Sequence, residues 1–336
     1  MQAWASKERL TSQMRVTERL LERSALPFDL DHTLGCGQAF RWEQLGDWWY
    51  GVVRQRVVKI RQTNDKLEFQ VFPPTDDAEF IKSYFRLDDN LPLILSGISR
   101  DEHIRRAIQH AHGLRIARQE PWECLVSYIC ATCKNIPAIK NVILNLAKEF
   151  GRKIRTDHRD FYTFPDPHTI STTDLKTLER CRLGYRARYV LETSRIIHEG
   201  EDFDLEALRR MDYEEAKHAL LQLPGVGHKT ADCVLLFALD KLEAFPVDTW
   251  IKKGIFSYYS KHFEKRFIEE ISSRPSLTPR EYREIGSFGR RYFGKYAGYA
   301  QEYLFHYKRV GARHDQSQGQ CASLANTNQL RRLNYP

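Results

Sequence analysis

The sequence predicts an α+β fold in which a twisted antiparallel sheet comes first and an all-helical region follows. Apolar and polar residues alternate over most of residues 48–53, 57–60 and 67–71, as they do along strands that bury one face. The pairs Gly46-Asp47 and Asn64-Asp65 separate these runs and are typical of tight turns. Further along the chain, apolar residues recur three and four positions apart, which indicates helices.

Four parts follow from these patterns. Residues 1–25 are charged and are expected to form a short helix or a loose arm. Residues 26–117 should form the sheet domain with its helices, and the alternating segment 28–31 should be its first strand. Residues 118–312 should form the helical domain, while residues 313–336 are polar, rich in Gln, Ser and Asn, and expected to be disordered.

Composition favours a nucleic-acid partner. The 336 residues carry a net charge of +8, with a pI near 9.0, which suits a polyanion. No run of about 18 apolar residues occurs and the N-terminus lacks the apolar core of a signal peptide, so we expect a soluble intracellular protein and no membrane partner. Seven scattered cysteines argue for reduced thiols, and the lone Cys130-x-x-Cys133 pair is too few ligands for zinc.

The helical region is organised around a glycine-containing turn. Asp212 should cap a helix that ends at Pro224, because proline cannot continue it. Gly225 and Gly227 then permit a tight turn before a second helix begins near His228. This helix-hairpin-helix presents backbone N–H groups and a positive helix end to a phosphate, a grip that reads the nucleic-acid backbone and not its sequence.

Two ionisable side chains beside this hairpin could carry chemistry. Lys229 lies in the first turn of the second helix, where the helix dipole and partial burial favour the neutral, nucleophilic amine. The run 233–239 is apolar on every side and predicts a buried, rigid helix. Asp248 follows Pro246 in a segment without helical periodicity. Taken singly, these features could be an ordinary turn, a solvated lysine and an N-cap.

Taken together, the residues resemble the helix-hairpin-helix DNA glycosylase superfamily. In that superfamily a lysine matching Lys229 marks the bifunctional members, and an aspartate matches Asp248. Only Cys321 follows Asp248, so the four-cysteine iron–sulfur loop of some branches cannot form. The segment Gly-Cys-Gly-Gln-Ala-Phe-Arg-Trp at 35–42 narrows the resemblance to the 8-oxoguanine DNA glycosylases, whose sheet domain contains Gly-Gln-Ser-Phe-Arg-Trp.

The resemblance implies a role for each matching residue. Lys229 would attack C1′ of the sugar and form a Schiff base that leads to β-elimination, and Asp248 would stabilise the developing positive charge. The carbonyl of Gly37 would accept N7–H of the oxidised base, a hydrogen that guanine lacks. The closing helix, expected from about Phe288 to Arg309, would supply Gln301 to the Watson–Crick edge. The other implied base contacts are Cys233 and Phe305, and the implied DNA contacts are Tyr185 as a wedge, Arg186, Arg188, Cys133, Asn135, Gly225, Val226, Gly227, Lys229 and Trp250.

Three positions depart from the family pattern. Cys133 replaces an asparagine that contacts the orphaned cytosine, so a strict preference for cytosine is not implied. Trp250 stands where a phosphate-binding histidine is common, and Lys308 where an aspartate orients that histidine. We hypothesise that Trp250 packs beside the lesion's phosphate and that Lys308 supplies the missing positive charge.

Three functions remain open at this point. The first is a bifunctional 8-oxoguanine glycosylase and AP lyase that binds duplex DNA with a damaged base, as a monomer, without cofactor or metal, in a prokaryotic cytoplasm or a nucleus. The second is a glycosylase for another oxidised or alkylated base, although the alkyl-base branch lacks the lysine. The third is a non-catalytic helix-hairpin-helix module, which would leave Lys229, Asp248 and Gly37 without a shared task.

Overall fold

The computed structural model describes most of the chain, namely residues 26–64, 66–73, 78–200, 203–274 and 276–311. The arm predicted at residues 1–25 and the tail predicted at 313–336 lie outside these ranges. Among the helices of these ranges, none combines the length and apolar character that a bilayer crossing requires.

A four-stranded antiparallel sheet forms the N-terminal part, as predicted. Its strands neighbour one another in chain order, β1 (Trp42–Leu45), β2 (Trp48–Val53), β3 (Arg56–Thr63) and β4 (Lys66–Phe72). Gly46 and Asn64 adopt positive φ angles of 62° and 55° at two of the connections, as the turn signals predicted. The third connection consists of Arg54 and Gln55, both with positive φ. The sequence did not predict this turn, because it contains no glycine or asparagine.

The predicted first strand at residues 28–31 is wrong. A short helix, α1 (Leu30–Gly35), begins there, because the Asp29 carboxylate accepts a hydrogen bond from the His32 amide at 2.7 Å and so caps the helix. Leu30, Thr33 and Leu34 lie on one buried face of α1. Their spacing is helical, and a segment of four alternating residues was too short to distinguish a strand from the start of a helix.

Helices make up most of the remaining described chain. Before residue 118 they are α2 (Ala78–Tyr84), α3 (Leu91–Ile98) and α4 (Glu102–His110). After it they are α5 (Pro121–Ala131), α6 (Ile136–Phe150), α7 (Pro167–Ser171), α8 (Leu175–Arg180), α9 (Arg186–Glu199), α10 (Tyr213–Leu221), α11 (His228–Ala238), α12 (Thr249–Tyr259), α13 (Lys265–Ser272), α14 (Pro279–Phe293) and α15 (297–311).

Two apolar cores hold these elements together. One lies between the sheet, α1 and α2, and includes Trp42, Ile60 and Ile81. The other is built by the later helices and also takes in α3 and α4, for example through Leu91 and Ile104. Although α3 and α4 precede the domain boundary expected near residue 117, they therefore pack with the helical core.

A small β-hairpin, which the sequence pattern did not predict, interrupts the helical region. It consists of β5 (Lys153–Thr156) and β6 (Arg159–Tyr162). At its tip, the Asp157 carboxylate accepts hydrogen bonds from the Tyr50 hydroxyl at 2.8 Å and the Lys59 ammonium at 2.6 Å. Because Tyr50 and Lys59 belong to the N-terminal sheet, this hairpin fastens the sheet to the helical part.

The closing helix predicted from about Phe288 to Arg309 is two helices. Gly294 has φ +72° and ψ −151°, values that end α14 before α15 begins. Gly298, by contrast, does allow the close packing that was expected. A Cβ atom there would collide with Leu236 Cδ1, and the Gly298 amide donates to the Leu242 carbonyl at 2.8 Å.

The buried carboxylate of Asp232 on α11 connects three helices. It accepts hydrogen bonds from the Tyr213 hydroxyl on α10 at 2.6 Å and the Tyr282 hydroxyl on α14 at 2.8 Å, and it pairs with the Lys217 ammonium on α10 at 2.8 Å. The Val247 amide in turn donates to the Tyr282 hydroxyl at 3.2 Å. The network thus fixes α10, α11, α14 and the segment that leads into α12.

We predict that Asp232→Ala lowers the free energy of unfolding by about 3–5 kcal/mol, because it leaves the Lys217 ammonium buried without its carboxylate. Urea denaturation measures the change. The matched control is Glu269→Ala, which removes an exposed pair with Lys265 at 3.7 Å and should change stability by less than about 1 kcal/mol. A loss at Asp232 no larger than that at Glu269 would contradict the assigned role.

Candidate active site

The helix-hairpin-helix has the predicted local structure. Asp212 and Glu215 form a capping box at the start of α10, and α11 begins at His228. Gly225 has φ +77°, and a Cβ atom there would meet the Tyr189 ring at 2.7 Å, so both conformation and space require glycine. Gly227 precedes α11 without a capping side chain, which leaves the first N–H groups of the helix able to bind an anion.

Lys229 lies in the first turn of α11, half-buried, with its ammonium nitrogen 5.8 Å from the centre of the Tyr128 ring. Behind it, all residues from Thr230 to Ala238 are buried, which confirms the buried helix predicted from the apolar run. The helix is therefore a rigid support for the lysine.

Asp248 is the N-cap of α12. One carboxylate oxygen accepts a hydrogen bond from the Ile251 amide at 2.8 Å. Loss of surrounding water raises the pKa of the Asp248 carboxyl above its ordinary value, while the Ile251 amide and the positive charge of Lys229 act in the opposite direction. The acid is thus held at a helix N-terminus, within electrostatic reach of the lysine.

A cavity of about 1000 Å³, here called the main cavity, contains both residues. It lies where the turn after α1, the hairpin before α11, the start of α12 and the helix α15 meet. Predicted site residues from separate parts of the sequence line it together, namely Gly37, Cys133, Asn135, Gly225, Gly227, Lys229, Cys233, Asp248, Trp250, Gln301 and Phe305.

The wall formed by the predicted base contacts is mostly apolar with a few polar atoms. Gly37 has φ +100°, and a Cβ atom there would meet Ile136 Cδ1 at 2.7 Å. Burial raises the pKa of the Cys233 thiol to about 12, so this side chain is neutral. Gln301 is buried, and its Oε1 has no hydrogen-bond partner among the described residues. An unpaired acceptor in a cavity wall is suited to a ligand N–H.

The predicted wedge lies outside this wall. Tyr185 is 61% exposed, directly before α9. The buried Arg186 guanidinium stacks on the Tyr185 ring at 4.3 Å and donates to the Thr132 carbonyl. Arg188 is exposed and pairs with Glu192 at 2.7 Å. The roles of these residues toward DNA stay predictions, but the exposed ring next to two guanidinium groups suits them.

The positions that depart from the family pattern fall in two places. Cys133 is exposed, with φ +55°, between α5 and α6, and Asn135 caps α6 by accepting the Ala138 amide at 3.0 Å. Trp250 lines the main cavity. The Lys308 ammonium nitrogen lies 4.8 Å from the centre of the Tyr258 ring on α12. The suggestion that Lys308 supplies the missing positive charge stays a prediction.

Sequence reasoning missed two charged residues of the main cavity. Glu302 and Arg309, both buried on α15, line it. Burial raises the pKa of the Glu302 carboxyl to about 7. The sequence did contain an indication of Glu302, which lies inside the string Tyr-Ala-Gly-Tyr-Ala-Gln-Glu-Tyr-Leu-Phe. Acids are rarely buried unless they are paired, so an acid in such a stretch indicates a candidate functional residue.

A second cavity of about 900 Å³ lies between α10 and α14, and neither Lys229 nor Asp248 lines it. In the described part of the chain, no group of three or more histidine, cysteine, aspartate or glutamate side chains is arranged to hold a metal ion. The main cavity is therefore the one of the two that contains both Lys229 and Asp248.

Comparisons with known proteins match both parts of the chain. A family model for the 8-oxoguanine DNA glycosylase, N-terminal domain, matches residues 20–125. A model for the HhH-GPD superfamily base excision DNA repair protein matches residues 126–272. These two matches adjoin and together cover the sheet, the hairpin and the start of α12.

Comparisons with individual proteins support the same family. The chain is 32% identical to a probable N-glycosylase/DNA lyase of Methanothermobacter thermautotrophicus, over 62% of this chain and 68% of the relative. It is 29% identical to an N-glycosylase/DNA lyase of Saccharomyces cerevisiae, over 82% of each. Its fold matches the crystal structure of a Clostridium acetobutylicum 8-oxoguanine glycosylase/lyase bound to DNA with cytosine opposite 8-oxoG, with a TM-score of 0.76 and 31% identity, over 85% of this chain and 93% of that one.

We predict that Gly37→Ala lowers the free energy of unfolding by about 1–3 kcal/mol, because the new Cβ adds backbone strain at φ +100° and contacts Ile136 and Arg309. Urea denaturation measures it. The matched control is Gly254→Ala in the middle of α12, where a Cβ atom has nothing within 4 Å, so alanine should be neutral or stabilising by up to about 1 kcal/mol. Equal effects of the two variants would contradict this interpretation of Gly37.

Proposed function

This chain belongs to the 8-oxoguanine DNA glycosylase family of the HhH-GPD superfamily, and from that premise we propose that it removes 8-oxoguanine from duplex DNA and then cleaves the strand at the abasic site. The observation that carries the proposal is the placement of Lys229 and Asp248 in one cavity that the Gly37 turn also lines. The amine and the acid supply the chemistry, and the turn supplies the recognition.

The target nucleotide has to leave the base stack before it can react, because its C1′ is inaccessible inside a duplex. The main cavity, at about 1000 Å³, can hold a flipped nucleotide. The hairpin at Gly225–Gly227 and the start of α11 hold the phosphate backbone through N–H groups, independently of sequence. Tyr185 fills the space that the base leaves, and Arg186 and Arg188 accompany it.

Once the nucleotide is bound, the nitrogen lone pair of Lys229 attacks C1′ as the base departs with the electron pair of the glycosidic bond. The carboxylate of Asp248 stabilises the positive charge that develops on the sugar, and the Ile251 amide holds this carboxylate in place. The attached nitrogen gives a proton to the departed base, and its lone pair then displaces O4′, which takes up a proton from water, so that the sugar ring opens to a protonated Schiff base. That imine makes the C2′ proton acidic, and its removal expels the 3′ phosphate by β-elimination.

Recognition of the oxidised base falls to the opposite wall. The Gly37 carbonyl accepts N7–H, which 8-oxoguanine has and guanine lacks, so guanine leaves that carbonyl unpaired. The free Oε1 of Gln301 accepts an N–H of the Watson–Crick edge. Phe305 and Cys233 pack on the two faces of the base, where a neutral thiol and a phenyl ring exclude water.

The two alternative functions account for fewer of the residues that line the main cavity. A glycosylase for alkylated bases has no use for an amine beside the acid, because it needs no covalent intermediate. A non-catalytic module would need only the hairpin, and the cavity with its half-buried lysine would have no purpose. Every residue that the proposal uses comes from a single chain, so we expect the enzyme to act as a monomer.

We predict that Lys229→Gln abolishes the covalent adduct that borohydride traps on a duplex with 8-oxoguanine opposite cytosine, because an amide forms no imine. Gel electrophoresis of the trapped complex measures the adduct. The matched control is Lys66→Gln on the exposed face of β4, which should trap like the wild type. An undiminished adduct in Lys229→Gln would assign the nucleophile to another residue.

We also predict that Asp248→Asn slows base release by about 10²–10³-fold under single-turnover conditions, because it removes the negative charge that faces the sugar. Asparagine caps a helix about as well as aspartate, so α12 should keep its start and the free energy of unfolding should change little. Unchanged base release in a folded variant would show that the cap, and not the charge, is the task of Asp248.

A further inference from the structure

The Gly35–Gly37 turn, which carries the proposed recognition carbonyl, is followed by the buried residue Gln38. The side-chain nitrogen of Gln38 donates to the Thr33 carbonyl and to the Arg115 carbonyl, both at 2.8 Å. The side-chain oxygen accepts a hydrogen bond from the Ala117 amide, also at 2.8 Å. Because these partners belong to α1 and to the segment before α5, the Gln38 side chain anchors one end of the turn to its surroundings.

The backbone carbonyl of Gln38 accepts two more hydrogen bonds from outside the turn. The Tyr128 hydroxyl on α5 donates to it at 3.0 Å, and the Gln119 side-chain amide donates to it at 2.8 Å. A carbonyl oxygen has two lone pairs, so these two donors use both of them. The peptide that contains the Gly37 carbonyl ends at Gln38, and its orientation is therefore restrained by both donors.

Tyr128 also lies beside the proposed nucleophile. It is buried, it lines the main cavity, and the centre of its ring is 5.8 Å from the Lys229 ammonium nitrogen, within the range of a cation–π contact. Two other rings pack against it. Phe237 stacks on it with ring centres 5.7 Å apart, and Phe40 meets it edge to face at 5.5 Å. The Tyr128 ring is therefore held in one orientation beside the amine.

We propose that Tyr128 is a positioning residue that connects base recognition to the nucleophile. Its hydroxyl restrains the backbone next to the Gly37 carbonyl, and its ring limits the positions that the Lys229 side chain can take. One rigid side chain thus fixes the place of the base relative to the amine that attacks C1′. The inference rests on the proposed function, because it assigns a task inside the same cavity.

Two rates measured on the same protein separate recognition from chemistry. One is single-turnover release of 8-oxoguanine opposite cytosine, and the other is cleavage of the same duplex with a preformed abasic site. Each needs Lys229, but only the first needs the Gly37 carbonyl. The ratio of release to cleavage therefore reports on recognition alone.

Tyr128→Phe removes the hydroxyl and keeps the ring beside Lys229. We expect the ratio of release to cleavage to fall by about 5–30-fold, because the Gln38 carbonyl loses one of two hydrogen bonds and a small displacement of a contact group slows the reaction. The matched control is Tyr303→Phe on α15. It removes a buried hydroxyl that donates to the Leu114 carbonyl at 2.9 Å and does not line the main cavity, so the ratio should stay at the wild-type value. An unchanged ratio in Tyr128→Phe, or an equal loss of both rates, would overturn the proposal.

Gln119→Met removes the second hydrogen bond to the same carbonyl. Gln119 does not line the main cavity, so a fall of the ratio in this variant would come through the Gln38 backbone. We expect such a fall, in the same direction as in Tyr128→Phe. A wild-type ratio in Gln119→Met beside a lowered one in Tyr128→Phe would mean that the hydroxyl acts on the base directly, and it would overturn the positioning role.

Tyr128→Leu removes the ring together with the hydroxyl. We expect abasic-site cleavage to fall by about 10-fold or more, because the Lys229 side chain loses the surface that limits its positions. Tyr128→Phe, which keeps the ring, should cleave far faster than Tyr128→Leu. Cleavage at the wild-type level in Tyr128→Leu would overturn the part of the proposal that concerns the ring.

Hydrogen–deuterium exchange of the segment 36–42 tests the restraint on the turn without any substrate. We expect faster exchange there in Tyr128→Phe than in the wild type, and wild-type exchange in Tyr303→Phe. Should the wild type cleave abasic sites yet release no 8-oxoguanine, the assignment of the lesion would fail, while faster exchange in Tyr128→Phe would still support the restraint. Equal exchange in Tyr128→Phe and the wild type would overturn the proposal whatever the lesion.

Discussion

The ionic network around Asp232 sets the geometry on which the active site depends. Asp232 lies three residues after Lys229 on the same helix, and Tyr282 extends the network from Asp232 to Val247, the residue before Asp248. The amine and the acid are therefore placed relative to each other through one fully buried carboxylate. A polar network whose hydrogen bonds are all made is rigid in a low-dielectric interior. The network can therefore hold Lys229 and Asp248 at a fixed separation without an ion pair between either of them and another charged side chain in the described part of the chain.

In the mechanism proposed above, chemistry and recognition come from different parts of the fold. The amine and the acid stand at the starts of two neighbouring helices, whereas the Gly35–Gly37 turn belongs to the part that carries the sheet. The helix α15 contacts the turn and also contributes Gln301 and Phe305 to the main cavity. The sheet is also joined to the helical part through Asp157 at the tip of the β5–β6 hairpin. Further hydrogen bonds, such as the one from the Lys140 ammonium to the Trp42 carbonyl at 2.9 Å, hold the two parts together.

The sequence predicted best those features that local chemistry determines. The capping box at Asp212, the stop at Pro224 and the left-handed Gly225 each follow from the residue itself and its near neighbours, so the hairpin could be predicted without knowing the fold.

The turn at Arg54 and Gln55 could not be predicted, because arginine and glutamine rarely adopt positive φ. Only the surrounding strands force these two residues into that conformation. The partners of Asp232 were also missed, since they are distant in sequence and meet only after the helices pack. The resemblance identified Gly37, but the reason for glycine there, the guanidinium of Arg309 on its open side, required the structure.

The exposed Tyr185, which we propose as the wedge, would enter DNA at a reduced entropic cost. Its ring protrudes from the surface, yet it rests on the guanidinium of Arg186, which is itself anchored to the Thr132 carbonyl. An aromatic side chain that is already ordered loses few rotamers when it enters a base stack. More of the contact energy gained there is then available to unstack the neighbouring nucleotide, so a buried arginine that never meets the lesion can still favour the opening of the duplex.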